Sequence, residues 1–192
     1  MFSKRFLFIQ ITFIVLLLSS FWLYQNRPKP LPVLGVVANF KLKSSTGEVK
    51  SLTDLKGKVW VADFMFTSCG NICPMMTKNM SVLHRIFRPF QEIRLVSFSV
   101  NPENDTPEVL QKYAVKYQAD PKQWFFLTGS REDITHIVVN SFKLGDIKEP
   151  IFHSSYFAVV DRQGQIRGYY EGTDEKAIQQ TSKDLVRLLK EK

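Results

Sequence analysis

The chain has 192 residues, room for one ordinary domain plus a short extra segment, and its 44% apolar share is that of a globular protein. The formal net charge is +8, but residues 1–30 hold Lys4, Arg5, Arg27 and Lys29 and no acid, so residues 31–192 are only mildly basic. No dense Lys/Arg stripe interleaved with aromatics is present, which argues against a nucleic-acid partner, and two cysteines are too few for a disulfide-stapled secreted fold.

The first element is Phe6 to Tyr24, an almost wholly apolar run long enough to span a bilayer as a helix. Lys4 and Arg5 before it favour an N-in orientation, and Trp22 and Tyr24 suit the far interface. A cleaved signal peptide would want a shorter apolar core and an A-x-A-like site, and neither is present. No cysteine is placed for lipid attachment. The expectation is a single-pass anchor in the cytoplasmic membrane with its domain on the non-cytoplasmic side. Arg27 to Pro32 is a proline-rich spacer. The domains are then 1–30, anchor and spacer, and 31–192, the folded domain.

Phe40 to Lys50 alternates around Thr46-Gly47 and predicts a β-hairpin. Asp54 to Lys58 reads as a turn. Val59 to Phe66 is a nearly continuous apolar run, suited to a strand covered on both faces. Gly70 and Asn71 form a turn, and Pro74 suits the first position of a helix running to about Phe90. Cys73 then lies at the helix threshold. A second buried strand is expected over Ile93–Val100. Thr106-Pro-Glu-Val109 opens a helix to about Tyr117. Trp124–Leu127 is a short strand, and Ser130-Arg-Glu-Asp133 caps a helix to about Phe142. Ser155–Val160 and Gln165–Tyr170 form a hairpin around Asp161–Gly164. Thr173 or Asp174 caps a last helix with Ile178, Leu185, Val186 and Leu189 on its apolar side. Strands alternating with helices, then a late hairpin, predict an α/β fold with a mixed sheet flanked by helices.

Chemistry concentrates at Cys69 and Cys73, both near a helix N-terminus, where the dipole favours thiolate. Two such sulfurs can form a disulfide or hold a soft metal. Of the three histidines, His84 and His136 fall on helices and read as partly exposed surface residues. His153 precedes a strand at the sheet rim and is the candidate third ligand, since imidazole joins thiolates at copper and zinc sites. Met75 and Met76 read as core filler rather than ligands. Asp63 lies within an apolar strand, either at the functional rim or turned to solvent. Asp105 reads as a turn or cap residue.

Three stretches together resemble the Sco (SenC) family of thioredoxin-fold copper proteins. Phe66-Thr-Ser-Cys-Gly-Asn-Ile-Cys-Pro74 is similar to its C-x-x-x-C-P box, with Gly70-Asn71 where many members carry Pro-Asp. Ser99-Val-Asn-Pro-Glu-Asn-Asp-Thr-Pro-Glu-Val-Leu110 is similar to its second-strand segment, with Asn101 and Asn104 where members often carry Asp and Arg. His153-Ser-Ser-Tyr-Phe-Ala-Val-Val-Asp161 is similar to its histidine, strand, aspartate pattern. The resemblance implies a thioredoxin-like fold and copper, as Cu(I) or Cu(II), bound by Cys69, Cys73 and His153. It also implies a role in assembling the dinuclear copper centre of cytochrome c oxidase. The partners would be that copper-site subunit or another copper-dependent client, plus an upstream copper donor or thiol reductant.

A thiol–disulfide reductase acting on the client's cysteines is the alternative. Cys69 would attack and Cys73 resolve. Thioredoxin-type reductases carry C-x-x-C and a proline just before the facing strand. Here the spacing is wider, His153-Ser154 precedes the strand, and Pro150 is three residues too early. A peroxiredoxin-type peroxidase wants threonine three residues before its cysteine, whereas Thr67 is two before Cys69.

Overall fold

The computed structural model describes residues 4–25, 29–144 and 154–191. The chain forms two units, Met1–Pro30 and Leu31–Lys192. In the first, α1 (Lys4–Gln25) is a 22-residue helix. Its described side chains run unbroken from Phe8 to Trp22 and are all exposed. Among the described residues no helix is long and apolar enough to cross a membrane. The span expected over Phe6–Tyr24 is therefore not shown, since a crossing needs about 20 apolar residues in succession.

The second unit is built on one eight-stranded sheet. Its strands are β1 (Gly35–Val36), β2 (Lys41–Ser44), β3 (Val49–Ser51), β4 (Val59–Met65), β5 (Ile93–Ser99), β6 (Trp124–Thr128), β7 (Tyr156–Val160) and β8 (Gln165–Glu171). The order across the sheet is β1-β8-β7-β4-β5-β6-β2-β3. Strands β4, β5 and β6 run parallel, and the flanking pairs are antiparallel. The sheet is thus mixed, as expected. β2 and β3 are the expected hairpin, with Gly47 in its turn at φ +82, a conformation that costs glycine little. β1 is too short for any alternation to announce it.

Every residue of β4 is buried, and its alternation sorts them between two cores. Val59, Val61 and Met65 face the layer of α3 (Ile72–Phe87), α4 (Pro107–Lys116) and α6 (Glu175–Lys190). Trp60, Ala62 and Phe64 face the layer of α2 (Leu52–Leu55) and α5 (Arg131–Thr135). Helices on both faces explain why the strand reads as an unbroken apolar run.

Several local expectations are corrected. A one-turn helix, α2, precedes the turn at 56–58. The helix predicted from Ser130 to Phe142 is α5 followed by a π-helical turn, His136–Ser141, which no Pro or Gly marks in the sequence. On α6, Asp174 is the cap; Leu188 is buried, whereas Val186 is exposed. α4 starts as predicted, with Thr106 Oγ1 accepting from the Val109 N–H and Pro107 in the first turn.

Candidate metal centre

The two cysteines sit where the C-terminal end of β4 turns into α3. The Cys69 N–H donates to the Phe66 carbonyl at 3.2 Å, closing the turn. α3 begins at Ile72, two residues earlier than Pro74 alone suggests. Cys73 is therefore inside the first turn and Pro74 is third, where a helix leaves its N–H groups unpaired anyway. The cap residue Asn71 makes no side-chain cap bond. A sulfur does this instead, since the Cys73 N–H donates to Cys69 Sγ at 3.4 Å. The first thiol thus sits directly on the helix N-terminus.

This placement splits the acidity of the two thiols. Cys69 is half-buried, which by itself would raise its pKa, but the backbone N–H groups of Asn71, Cys73 and Ile72 outweigh burial and lower it. Cys73 is fully buried, and burial pushes its thiol up to about 12, with the nearby charges of Cys69 and Asp63 adding to the rise. Both cysteines are free thiols. Cys69 is the more accessible and more acidic thiol, and Cys73 is the buried partner behind it.

Two carboxylates support this end of the sheet. Asp105 is fully buried. It accepts from Thr67 Oγ1 at 2.5 Å, from the Thr67 N–H at 3.1 Å and from Ser99 Oγ at 2.6 Å, pinning the cysteine turn to the end of β5. It is more than the turn residue expected; Asp-Thr-Pro announces a cap but not a partner 38 residues away. Asp63 is at neither the rim nor the surface: it is fully buried on the α3 side of β4. Ser97 Oγ donates to its Oδ1 at 2.5 Å, and its Oδ2 has no partner. Burial raises its pKa to about 7. Register explains the pair, since Asp63 lies opposite Ser97 across the β4–β5 ladder.

The histidines separate. His84 is buried rather than partly exposed, with its ring 5.6 Å from Trp124, and burial lowers its pKa. It lies twelve residues along α3 from Ile72, about 18 Å from the cysteine end. His136 is exposed on the π-helical turn. His153 lies outside the described residues, and its neighbour Ser154 is the first described residue leading into β7. β7 runs antiparallel to β4 with Ala158 opposite Ala62, so β7 starts at the rim where β4 ends. Met76 is fully buried in the core and Met75 is exposed. Among the described residues no group of three His, Cys, Asp or Glu side chains is placed to hold a metal ion.

Comparison with known proteins matches this geometry. The SCO1/SenC family model matches residues 31–190. A SCO1 protein homologue of Bacillus subtilis is 39% identical over 145 residues, 72% of this chain and 75% of that protein. The structure of BsSco, a member of the Sco family of cytochrome c oxidase assembly proteins with a disulfide switch, is 35% identical. It superposes with a TM-score of 0.73 over 82% of this chain and 96% of that one. Copper-bound ScoI of Bradyrhizobium japonicum, 23% identical with a TM-score of 0.65 over 80% of this chain and 99% of that one, shares the fold.

Proposed function

The chain belongs to the SCO1/SenC family, and from that premise we propose that it is a membrane-tethered copper chaperone for the dinuclear copper centre of cytochrome c oxidase. The observation that carries this reading is the pair of sulfurs at one rim, Cys69 Sγ within 3.4 Å of the Cys73 N–H, on an open helix N-terminus. Thiolates are soft donors that suit Cu(I), and an imidazole from His153, next in sequence to Ser154 at the same rim, would also accommodate Cu(II). Few ligands and an open side let a client's ligands enter and take the cargo. Loading displaces the Cys73 proton, whose pKa is about 12, so affinity falls as pH falls. A disulfide between the two sulfurs would block loading, so thiol redox state gates it.

The split acidity also favours a second reading, the thiol–disulfide reductase. Cys69 thiolate would attack a client disulfide, forming a mixed disulfide and expelling one client thiolate. Cys73 would then lose its proton and attack Cys69 Sγ, releasing the second client thiolate and leaving Cys69–Cys73 oxidised. An upstream thiol reductant would restore the pair.

His153 separates the readings. The full chain would be titrated in detergent against a chelator, with Cu(I) under reducing conditions and Cu(II) separately. Cys69→Ser, Cys73→Ser and His153→Ala should each weaken copper by at least the roughly tenfold to hundredfold seen for indirect ligand contacts, and exposed His136→Ala should not. Full affinity in His153→Ala overturns the ligand set. If His153→Ala loses copper yet cells carrying it assemble the oxidase normally, the reductase reading replaces the chaperone.

A further inference from the structure

Helices α3 and α6 pack side by side on one face of the sheet, and an open groove of about 800 Å³ lies between them. Met75, Lys78, Val82 and Ile86 line it from α3, at the three- and four-residue spacing of one helix face. From Met75 to Ile86 that face is about 17 Å long. α3 already buries Met76, Met80, Leu83 and Phe87 in the core, so Met75, Val82 and Ile86 form a second apolar stripe. Met75 and Ile86 are 44% and 48% exposed, and buried Ile178 of α6 lines the same groove. Val186, four residues after the lining residue Ser182, continues the strip on α6 and is exposed. Contiguous exposed apolar surface with a polar rim marks an interaction site.

Charge says what covers it. Lys78 and Lys183 line the groove, one on each helix. Arg85 stands seven residues after Lys78, and Lys176 and Lys190 stand seven residues either side of Lys183, so each continues its own flank. All five are exposed, and among the described residues none forms an ion pair. α3 has no acidic residue. Of the two on α6, Asp184 is buried and accepts from Tyr170 and Gln180, which leaves Glu175 the single acid in the lining. A second copy docked face to face would set the cations against themselves. A bilayer surface is flat, whereas this surface is concave between two helices.

We propose that the α3–α6 groove docks an amphipathic helix of a partner protein. Its apolar face lies on Met75, Val82 and Ile86, and acidic residues on its flanks meet Lys78 and Lys183. Three helical turns span about 16 Å, the length of the stripe. Met75 is two residues from Cys73, so one end of the docked helix reaches the rim that holds the cysteines. The docking stands whether or not they carry copper.

The test uses full-length protein in nanodiscs of zwitterionic lipid. The probe is a fluorescein-labelled peptide of about 18 residues, roughly 27 Å of helix, with leucine on one face and glutamate on both flanks. Its anisotropy should rise saturably over that with empty discs, and less as salt is added. The same peptide with lysine for glutamate should not bind. Ile86→Gln should weaken binding about threefold to tenfold, the worth of half an isoleucine taken from water. Lys78→Gln with Lys183→Gln, both exposed changes, should weaken it by about as much. Lys56→Gln, in the layer across the sheet, should leave it unchanged. Equal binding of the two peptides, or an unchanged titration in either groove variant, overturns the proposal. So does an acidic peptide that does not bind: pairing of discs in sedimentation then assigns the face to a second copy, and broadening of the Ile86 methyl signal by nitroxide-labelled phosphatidylglycerol assigns it to the membrane.

Discussion

Cys69 and Cys73 differ by three bonds of helix start and by burial, and that difference is measurable. With the Cys69 pKa lowered by backbone N–H groups and that of Cys73 raised to about 12, alkylation of reduced folded protein at pH 7 should label Cys69 first and Cys73 only after unfolding. Mass spectrometry of quenched time points reads this directly, and equal labelling rates would remove the asymmetry. Asp63 offers a second test. Its folded pKa of about 7 exceeds the ordinary 3.8, so the native state holds a proton that the unfolded chain has released between those values. Stability therefore falls as pH rises through that window, by at most about 4 kcal/mol, and the loss is complete above pH 7. Asp63→Asn keeps a group that accepts from Ser97 and cannot ionise. Its urea midpoint should not fall from pH 5 to pH 8, where buried His84 with its lowered pKa contributes a rise of its own, while that of the native sequence drops relative to it. A parallel drop in both proteins would show that Asp63 is not the titrating group.

Among the elements, β4 and the turn after it were legible because both faces of the strand are covered and the turn residues are local. The Thr106 and Ser130 caps were legible for the same reason, since a cap bonds within its own first turn. What stayed hidden depends on distant partners. Asp63 could not be placed without the register that sets Ser97 opposite it, and His84 could not be buried on paper without Trp124 beside it. Asp105 is the clearest case, a cap by its neighbours and a pin by its partners. Asp105→Ala strips the acceptor from Thr67 and Ser99 and leaves buried donors unpaired, so it should cost about 3 kcal/mol in urea unfolding. It should also loosen the turn that presents Cys69 and blunt the contrast in cysteine labelling. The exposed Glu103, two residues away and paired with Arg131, is the control, and Glu103→Ala should leave both readouts unchanged. An Asp105→Ala protein as stable as the native one would mean that water replaces the carboxylate and the turn holds itself.

For the whole molecule, the two units pose different physical problems. Residues 31–192 bury their apolar side chains in two cores on either side of the sheet. Arg167 ties the start of this unit to its end, donating to the carbonyls of Leu31 and Pro32, to Asp161 and to Glu191. In α1, by contrast, Phe8, Ile9, Phe13, Leu16, Phe21 and Trp22 are all at least 60% exposed. Exposed apolar side chains of this kind favour an apolar medium over water. We propose that Lys4 and Arg5 mark a cytoplasmic end, which would make α1 the N-in anchor expected from the sequence. Spheroplasts treated with a protease outside the membrane should lose residues 31–192 and retain a membrane-bound fragment carrying the N-terminus. Disrupted spheroplasts should lose the tail before Phe6 as well. A tag fused to the N-terminus would report both, protected in the first case and digested in the second. If the mature protein instead begins near residue 26 and is recovered in the soluble fraction, α1 is a cleaved leader, and the copper site works untethered.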